Sequence, residues 1–353
     1  VAASRIDNGG GFSFIPTRRP VTTLARSAAP VSSPAIPPPV DADLARVEER
    51  LAAELGSREP RLSAIAGHLV GAGGKRVRPT VVLLAFHAAA AAGSTARLDD
   101  AIEAAVALEL IHSATLLHDD IIDGSETRRG KPSALAAFGA GDTLVAGDFL
   151  FSRAFALCAR FEPEVIRWAA EACISLTEGE IMQGRFRHNP AVTPADYREI
   201  IDRKTASLFE AGARTAAHLT GAPAAIVEAM ASCGRHVGLA FQMSDDLLDV
   251  AGHPAATGKP RGIDLRDGNP SLPIVLALAD DAELTRLFAN RRPTPSEVES
   301  GLARLRRSGV LRVVADEARR HVARATEDVE RLPASPYRAA LELLIQGIAE
   351  RDS

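Results

Sequence analysis

Two short acidic runs set in apolar surroundings constrain this chain more than any other feature of it. The first is "LLHDDIIDGSETRRG", residues 116–130, and the second is "FQMSDDLLD", residues 241–249. On a helix through Leu108–Asp123, Asp119 and Asp123 stand at i and i+4 and share a face, while Asp120 is rotated by about 100°. Carboxylates stacked this way repel one another. A single run of this form is usually a solvated stripe, but Leu116, Leu117, Ile121 and Ile122 leave little of this helix for water. Close-set, partly buried carboxylates need a cation. Asp245, Asp246 and Asp249 repeat the spacing, and two accidents of one form are much rarer than one. Magnesium suits such residues: it accepts one or two carboxylates per ion, keeps waters and completes its octahedron with phosphate oxygens. Two facing acidic helices would cage several Mg²⁺ ions and clamp a pyrophosphate.

The rest of the chain reads as helical. From Asp41, "DADLARVEERLAAEL" has apolar residues at three- and four-residue intervals, and long Ala/Leu/Val/Ile segments follow, punctuated by Gly and Pro. The expectation is one all-α domain over residues 41–353. With 46% hydrophobic residues in a chain of 353, a large core is available. Residues 1–40, ending "SSPAIPPPV", are rich in Pro, Ser and Gly and contain only Asp7 as an acid, so they are expected to form a disordered tail. A transit peptide ranks second, since no amphipathic helix develops there.

Lys and Arg number 41 against 45 Asp and Glu, so phosphate recognition must be local and no nucleic-acid partner is expected. Cys158, Cys173 and Cys233 form no C-x-x-C pair, which fits a reducing, cytoplasmic setting and argues against disulfides or zinc. The longest apolar run, "VVLLAFHAAAAAG" from Val81, is too short for a bilayer and carries His87. No transmembrane segment is expected, and a greasy product would reach a membrane only by peripheral delivery.

Cations answer the acidic runs. Arg128 and Arg129 follow the Gly124 break, where a forked guanidinium reaches phosphate oxygens bidentately. "GAGGKRVRPT" places Lys75, Arg76 and Arg78 before Pro79, which is expected to begin a helix. Lys75 and Arg78 would then form a second anion site. Either cluster alone would also suit a solvated loop.

At this point the motifs resemble a known family. "GGKRVRP", "HSATLLHDDIIDGSETRRGKPS", "EGEIMQ", "DRKTASLF", "FQMSDDLLD" and "GKPRGIDLRDGNPSLP" look like the successive signatures of the trans-polyprenyl diphosphate synthases, over residues 45–350. The resemblance implies an isoprenoid synthase fold, a helical bundle around a deep central cavity, usually a homodimer. It implies that Asp119, Asp123 and Asp245 bind Mg²⁺ and through it an allylic diphosphate, with Asp120, Asp246 and Asp249 completing the motifs. By the same carry-over, Arg128, Lys204, Thr205, Gln242 and Lys259 contact the allylic diphosphate, while Lys75, Arg78, His112 and Arg129 hold isopentenyl diphosphate. His118 is left as structural. Ile263 departs from the polar residue common before Asp264, which puts the local loop contact in question.

The resemblance further implies Mg²⁺-dependent head-to-tail condensation, in which the allylic C–O bond ionises and the isopentenyl double bond attacks the cation. Product length follows from the helix. A tail anchored at Asp119 runs back along it by about 5.4 Å per isoprene unit, roughly one turn. It first meets Thr115 and Ala114, both small, where short-chain members commonly carry an aromatic floor. The tunnel is expected to pass Ile111 and Ala107 and to give a long-chain product of about six to ten units, such as a quinone side-chain precursor. Phe151 and Phe155 are candidate floors. The alternatives are a short-chain farnesyl or geranylgeranyl diphosphate synthase and a non-catalytic subunit of a heteromeric synthase. A terpene cyclase or a squalene-type synthase would not need "GGKRVRP".

Overall fold

Apolar residues at helical spacing, with prolines and glycines held to the breaks, fold as helices almost throughout the computed structural model. It describes residues 38–90, 95–252 and 261–350. The order is α1 (Pro38–Glu54), α2 (Pro60–Val70), α3 (Val77–Ala89), α4 (Leu98–Ile122), a two-stranded hairpin (Thr127–Arg128 and Lys131–Pro132), α5 (Ala134–Phe138) and α6 (Ala140–Cys158). Then come α7 (Pro163–Phe186), α8 (Pro194–Ile201), a π-helical turn (Asp202–Ala206), α9 (Ser207–Leu219) and α10 (Ala224–Ala251). The chain continues through α11 (Ile263–Asp267), α12 (Leu272–Leu278), α13 (Ala282–Ala289), α14 (Pro295–Arg307), α15 (Val310–Val329) and α16 (Pro336–Ala349).

Among the described residues, six helices begin on a proline, at positions 38, 60, 163, 194, 295 and 336, where the missing N–H has no intrahelical partner to lose. Thr193 and Thr294 add capping boxes with Asp196 and Glu297. Two expected boundaries move. Helix α1 starts at Pro38, not Asp41, so the expected tail loses its last three residues, and the rest of that expectation, residues 1–37, lies outside the described residues. Helix α3 starts at Val77, so Pro79 is its third residue.

Helix α4 is the centre. It packs on α1, α3, α6 and α9, and residues such as Ala105, Leu110, Ile111, Ala114 and Leu117 are almost completely buried. At 25 residues it is long and apolar enough to cross a membrane, which the sequence reading had not expected of any segment. Its apolar residues are instead covered by neighbouring helices on several sides. Helix α10 packs on α9, α15 and α16. A second apolar cluster gathers Met243, Leu247 and Val250 of α10 with side chains from α12 to α15. Both acidic runs therefore sit where a deeply packed helix ends or meets a second core.

The π turn lies between two glycines. A Cβ on Gly179 of α7 would come within 2.6 Å of the Lys204 backbone nitrogen, and one on Gly238 of α10 within 2.6 Å of the Ala206 Cα. Only residues without side chains let both helices approach the turn so closely.

Candidate active site

The last turn of α4 carries Asp119 and Asp120, and Asp123 caps it. Asp120 is completely buried; it accepts from Arg128 Nε at 2.7 Å and from the Ala134 backbone N–H at 3.4 Å. Its carboxylate thus fixes the hairpin and the start of α5 against α4, and aims Arg128. The hairpin turn places Arg129 and Gly130 in the left-handed region, with φ of 53° and 74°, the geometry of a tight two-residue connection.

Asp119 is held differently. Burial pushes its carboxyl up to about 6, reinforced by the charges of Glu180 and Asp123 and opposed by Lys204. Lys204 pairs with Glu180 and donates to Gln183 Oε1 at 2.7 Å. Burial alone would lower the Lys204 pKa, but the charges of Asp119 and Glu180 outweigh it and the net shift is upward.

From the same π turn, Thr205 donates to Gln242 Oε1 at 3.0 Å, and Gln242 Nε2 donates to Asp246 Oδ1 at 3.0 Å. Asp246 Oδ2 also accepts from the Tyr197 hydroxyl at 2.6 Å and the Leu272 N–H at 3.0 Å. Burial raises the Asp246 carboxyl to about 7 against these donors. The middle aspartate of each run is therefore turned inward and bonded to protein. Asp249 accepts the Ile263 and Asp264 N–H groups at 3.0 and 3.2 Å. The loop contact that Ile263 put in question is made by backbone, so its side-chain type does not decide it.

The basic residues collect around His112. Arg76, with a left-handed φ of 48°, caps α3 and pairs with Glu48 and Glu109. Arg78 stacks its guanidinium over the Phe209 ring at 4.8 Å, and its Nε is buried without a hydrogen-bond partner. A Cβ on Gly74 would meet both Arg76 and Arg129. Burial, then the charges of Arg78, Arg129, Arg128 and Arg76, hold the His112 imidazole well below its usual range, so it is neutral. The His112 imidazole thus stands among the charges of Arg76, Arg78, Arg128 and Arg129, and the Arg78 Nε has no hydrogen-bond partner. The charge of Asp245 is felt by Arg78, which brings the second acidic run close to this recess.

Ala114 is fully buried, with Ile111 and Ala107 above it, and Thr115 donates its hydroxyl to the His112 carbonyl at 2.8 Å. Helix α6 lies alongside: a Cβ on Gly147 would overlap the His118 ring, and Phe151 stands 5.8 Å from that ring, centroid to centroid. His118 Nε2 lies 3.2 Å from the Leu144 carbonyl. Phe155, the other candidate floor, is 40% exposed. Lys259 lies outside the described residues. Sequence reasoning gave no role to Glu180, Gln183, Arg187 or Tyr197. The first two sit inside "EGEIMQ", which was a usable signal; Arg187 and Tyr197 have none.

Among the described residues, no three Asp, Glu, His or Cys side chains converge closely enough to hold an ion alone. An all-oxygen donor set that needs phosphate and water to complete it is what magnesium takes. Two surface recesses of about 430 and 610 Å³ are open, one between α1 and the start of α4, the other against the hairpin that carries Arg128 and Arg129.

Helices thus bring together two charge clusters, one acidic and one rich in arginine. Residues 59–305 match the family model described as polyprenyl synthetase. The chain is 35% identical over 306 residues to the octaprenyl diphosphate synthase of Haemophilus influenzae, covering 85% of this chain and 92% of that one. It is 34% identical over 291 residues to the geranylgeranyl diphosphate synthase of Methanosarcina mazei, covering 81% and 88%. The crystal structure of a Caulobacter crescentus polyprenyl synthase complexed with calcium and isoprenyl diphosphate superposes with a TM-score of 0.84 at 34% identity, covering 92% and 100%. This chain belongs to the polyprenyl synthetase family. It has the isoprenoid synthase helical fold and is a trans-prenyltransferase.

Proposed function

We propose that this prenyltransferase elongates an allylic diphosphate by successive Mg²⁺-dependent condensations with isopentenyl diphosphate, giving a long-chain all-trans polyprenyl diphosphate. The observation that carries this is the pairing of two charge clusters: carboxylates at Asp119, Asp123 and Asp245, and a separate arginine recess around His112. Two clusters suit two diphosphates. Arg128, Lys204, Thr205, Gln242 and Lys259 are assigned to the allylic one; Lys75, Arg78, His112 and Arg129 to isopentenyl diphosphate. Asp120, Asp246 and Asp249 position their neighbours.

Bound Mg²⁺, held by Asp119, Asp123 and Asp245, would stabilise the charge that grows on the departing pyrophosphate. Lys204 and Arg128 add hydrogen-bond donors to the same oxygens. The allylic C–O bond breaks with its electron pair leaving on pyrophosphate. The isopentenyl double bond then attacks the allylic carbon, and a proton lost to the released pyrophosphate restores an alkene. The apolar face of α4, with Ala107, Ile111 and Ala114, keeps water from the cation.

Small residues at Ala114 and Thr115 favour the long chain, in line with the octaprenyl relative; the geranylgeranyl relative keeps the short chain as the second reading. A homodimer is supported by apolar side chains left exposed on consecutive helices, Leu144, Val145 and Phe155 of α6 and Ile174 and Ile181 of α7. Free thiols at Cys158, Cys173 and Cys233 suit a cytoplasmic setting.

The test is removal of the carboxylates. Asp119→Ala and Asp245→Ala should each abolish most turnover while the far-UV spectrum stays helical. Near-normal rates in Mg²⁺ for either variant would contradict the metal cage.

A further inference from the structure

Arg187 caps the C-terminal end of α7, one position past Phe186. Its guanidinium pairs with Asp123, the last carboxylate of the first acidic run, while its Nε donates to Asn269 Oδ1 at 3.1 Å. Asn269 belongs to the segment that α11 opens, and that segment is hung from Asp249 of the second run by the Ile263 and Asp264 N–H groups. One side chain therefore reaches from the first acidic run to the segment anchored on the second.

The backbone fixes this reach. The next residue, His188, takes a left-handed φ of 56°. Its N–H donates to the Gly268 carbonyl at 2.9 Å, and its Nδ1 lies 3.1 Å from the Phe288 carbonyl. A Cβ on Gly268 would overlap the His188 ring. Among the described residues, the three non-glycine positions with positive φ are Arg76, Arg129 and His188. The first two belong to the arginine recess. Non-glycine residues in this region are uncommon and gather where surrounding structure over-determines them. The α7 terminus is thus held beside the Gly268 and Phe288 carbonyls, which keeps Arg187 within reach of Asp123.

We propose that Arg187 is a positioning residue, a latch that holds the Asp123 carboxylate and competes with the divalent cation for it. The inference rests on the metal-binding reading of Asp123. A guanidinium and a divalent cation repel each other and seek the same carboxylate oxygens, so the ion must displace Arg187 from Asp123 to bind fully. Arg187 keeps its bond to Asn269 when that happens, which leaves the guanidinium at the edge of the site. The latch sets how much metal the site needs and leaves the bond-making steps to other residues.

Mn²⁺ alone is the probe, titrated into the full chain and followed by the electron spin resonance of the free ion. Arg187→Met, checked for native helicity, should bind Mn²⁺ about threefold to fivefold more tightly, the range of a part-exposed ion pair removed from competition. Arg187→Lys keeps the charge and should stay near the native value. A purely structural role for Arg187 would loosen the site and weaken binding. Unchanged or weaker binding in Arg187→Met, beside an Asp123→Asn variant that binds Mn²⁺ more weakly than native, overturns the latch alone. Native-like Mn²⁺ binding in Asp123→Asn overturns the metal assignment of Asp123 and the latch with it.

Discussion

Asp120 and Asp246 stand in the middle of their runs, yet their carboxylates serve the protein. Asp120 anchors Arg128, and Asp246 takes three donors from Tyr197, Gln242 and Leu272. A buried carboxylate that loses a donor keeps its desolvation cost. Tyr197→Phe should therefore lower the unfolding free energy by about 1–3 kcal/mol, read from a urea titration, because the 2.6 Å bond is fully buried. A midpoint equal to native would show that Asp246 does not depend on it. The i, i+4 spacing was enough to put Asp119 and Asp123 on one face of α4. It could not supply the inward partners, since Tyr197 lies 49 residues from Asp246 in the chain and only the packed core brings them together.

Helices were legible as helices; their irregularities were not. "DRKTASLF" has no sequence sign of a π turn, and the turn exists because α7 and α10 press on it through Gly179 and Gly238. Such turns frequently mark functional sites, and this one presents Lys204 and Thr205. Gly179→Ala places a methyl against backbone, where no side chain can swing away. The turn must shift, and Lys204 with it. Turnover should fall about tenfold to a hundredfold, with the far-UV spectrum still helical, in steady-state assays of both substrates. A native rate would mean that Lys204 tolerates displacement and is not part of the diphosphate site. The start of α1 was misjudged for a related reason: a Pro-rich stretch reads as a break, although prolines fit the first turn of a helix.

At the scale of the whole molecule, the all-α class followed from apolar spacing and from the scarcity of period-two alternation. What spacing could not separate was a core helix from a membrane-crossing one. Helix α4 passes by length and composition, and in this structure it is packed among α1, α3, α6 and α9. That burial also makes α4 the wall along which product length is measured. Ala114, Ile111 and Ala107 fall within about 60° of one another around α4, buried, with α6 alongside, and of the three only Ile111 is large. The most direct measurement is product length. Purified native protein and Ala114→Phe are each incubated with an allylic diphosphate, labelled isopentenyl diphosphate and Mg²⁺, and the products are resolved by chain length. The native enzyme should give a chain of about six to ten isoprene units, and Ala114→Phe a much shorter one with the first condensation largely preserved. A short native product, or an unchanged distribution in Ala114→Phe, would contradict growth along this face of α4.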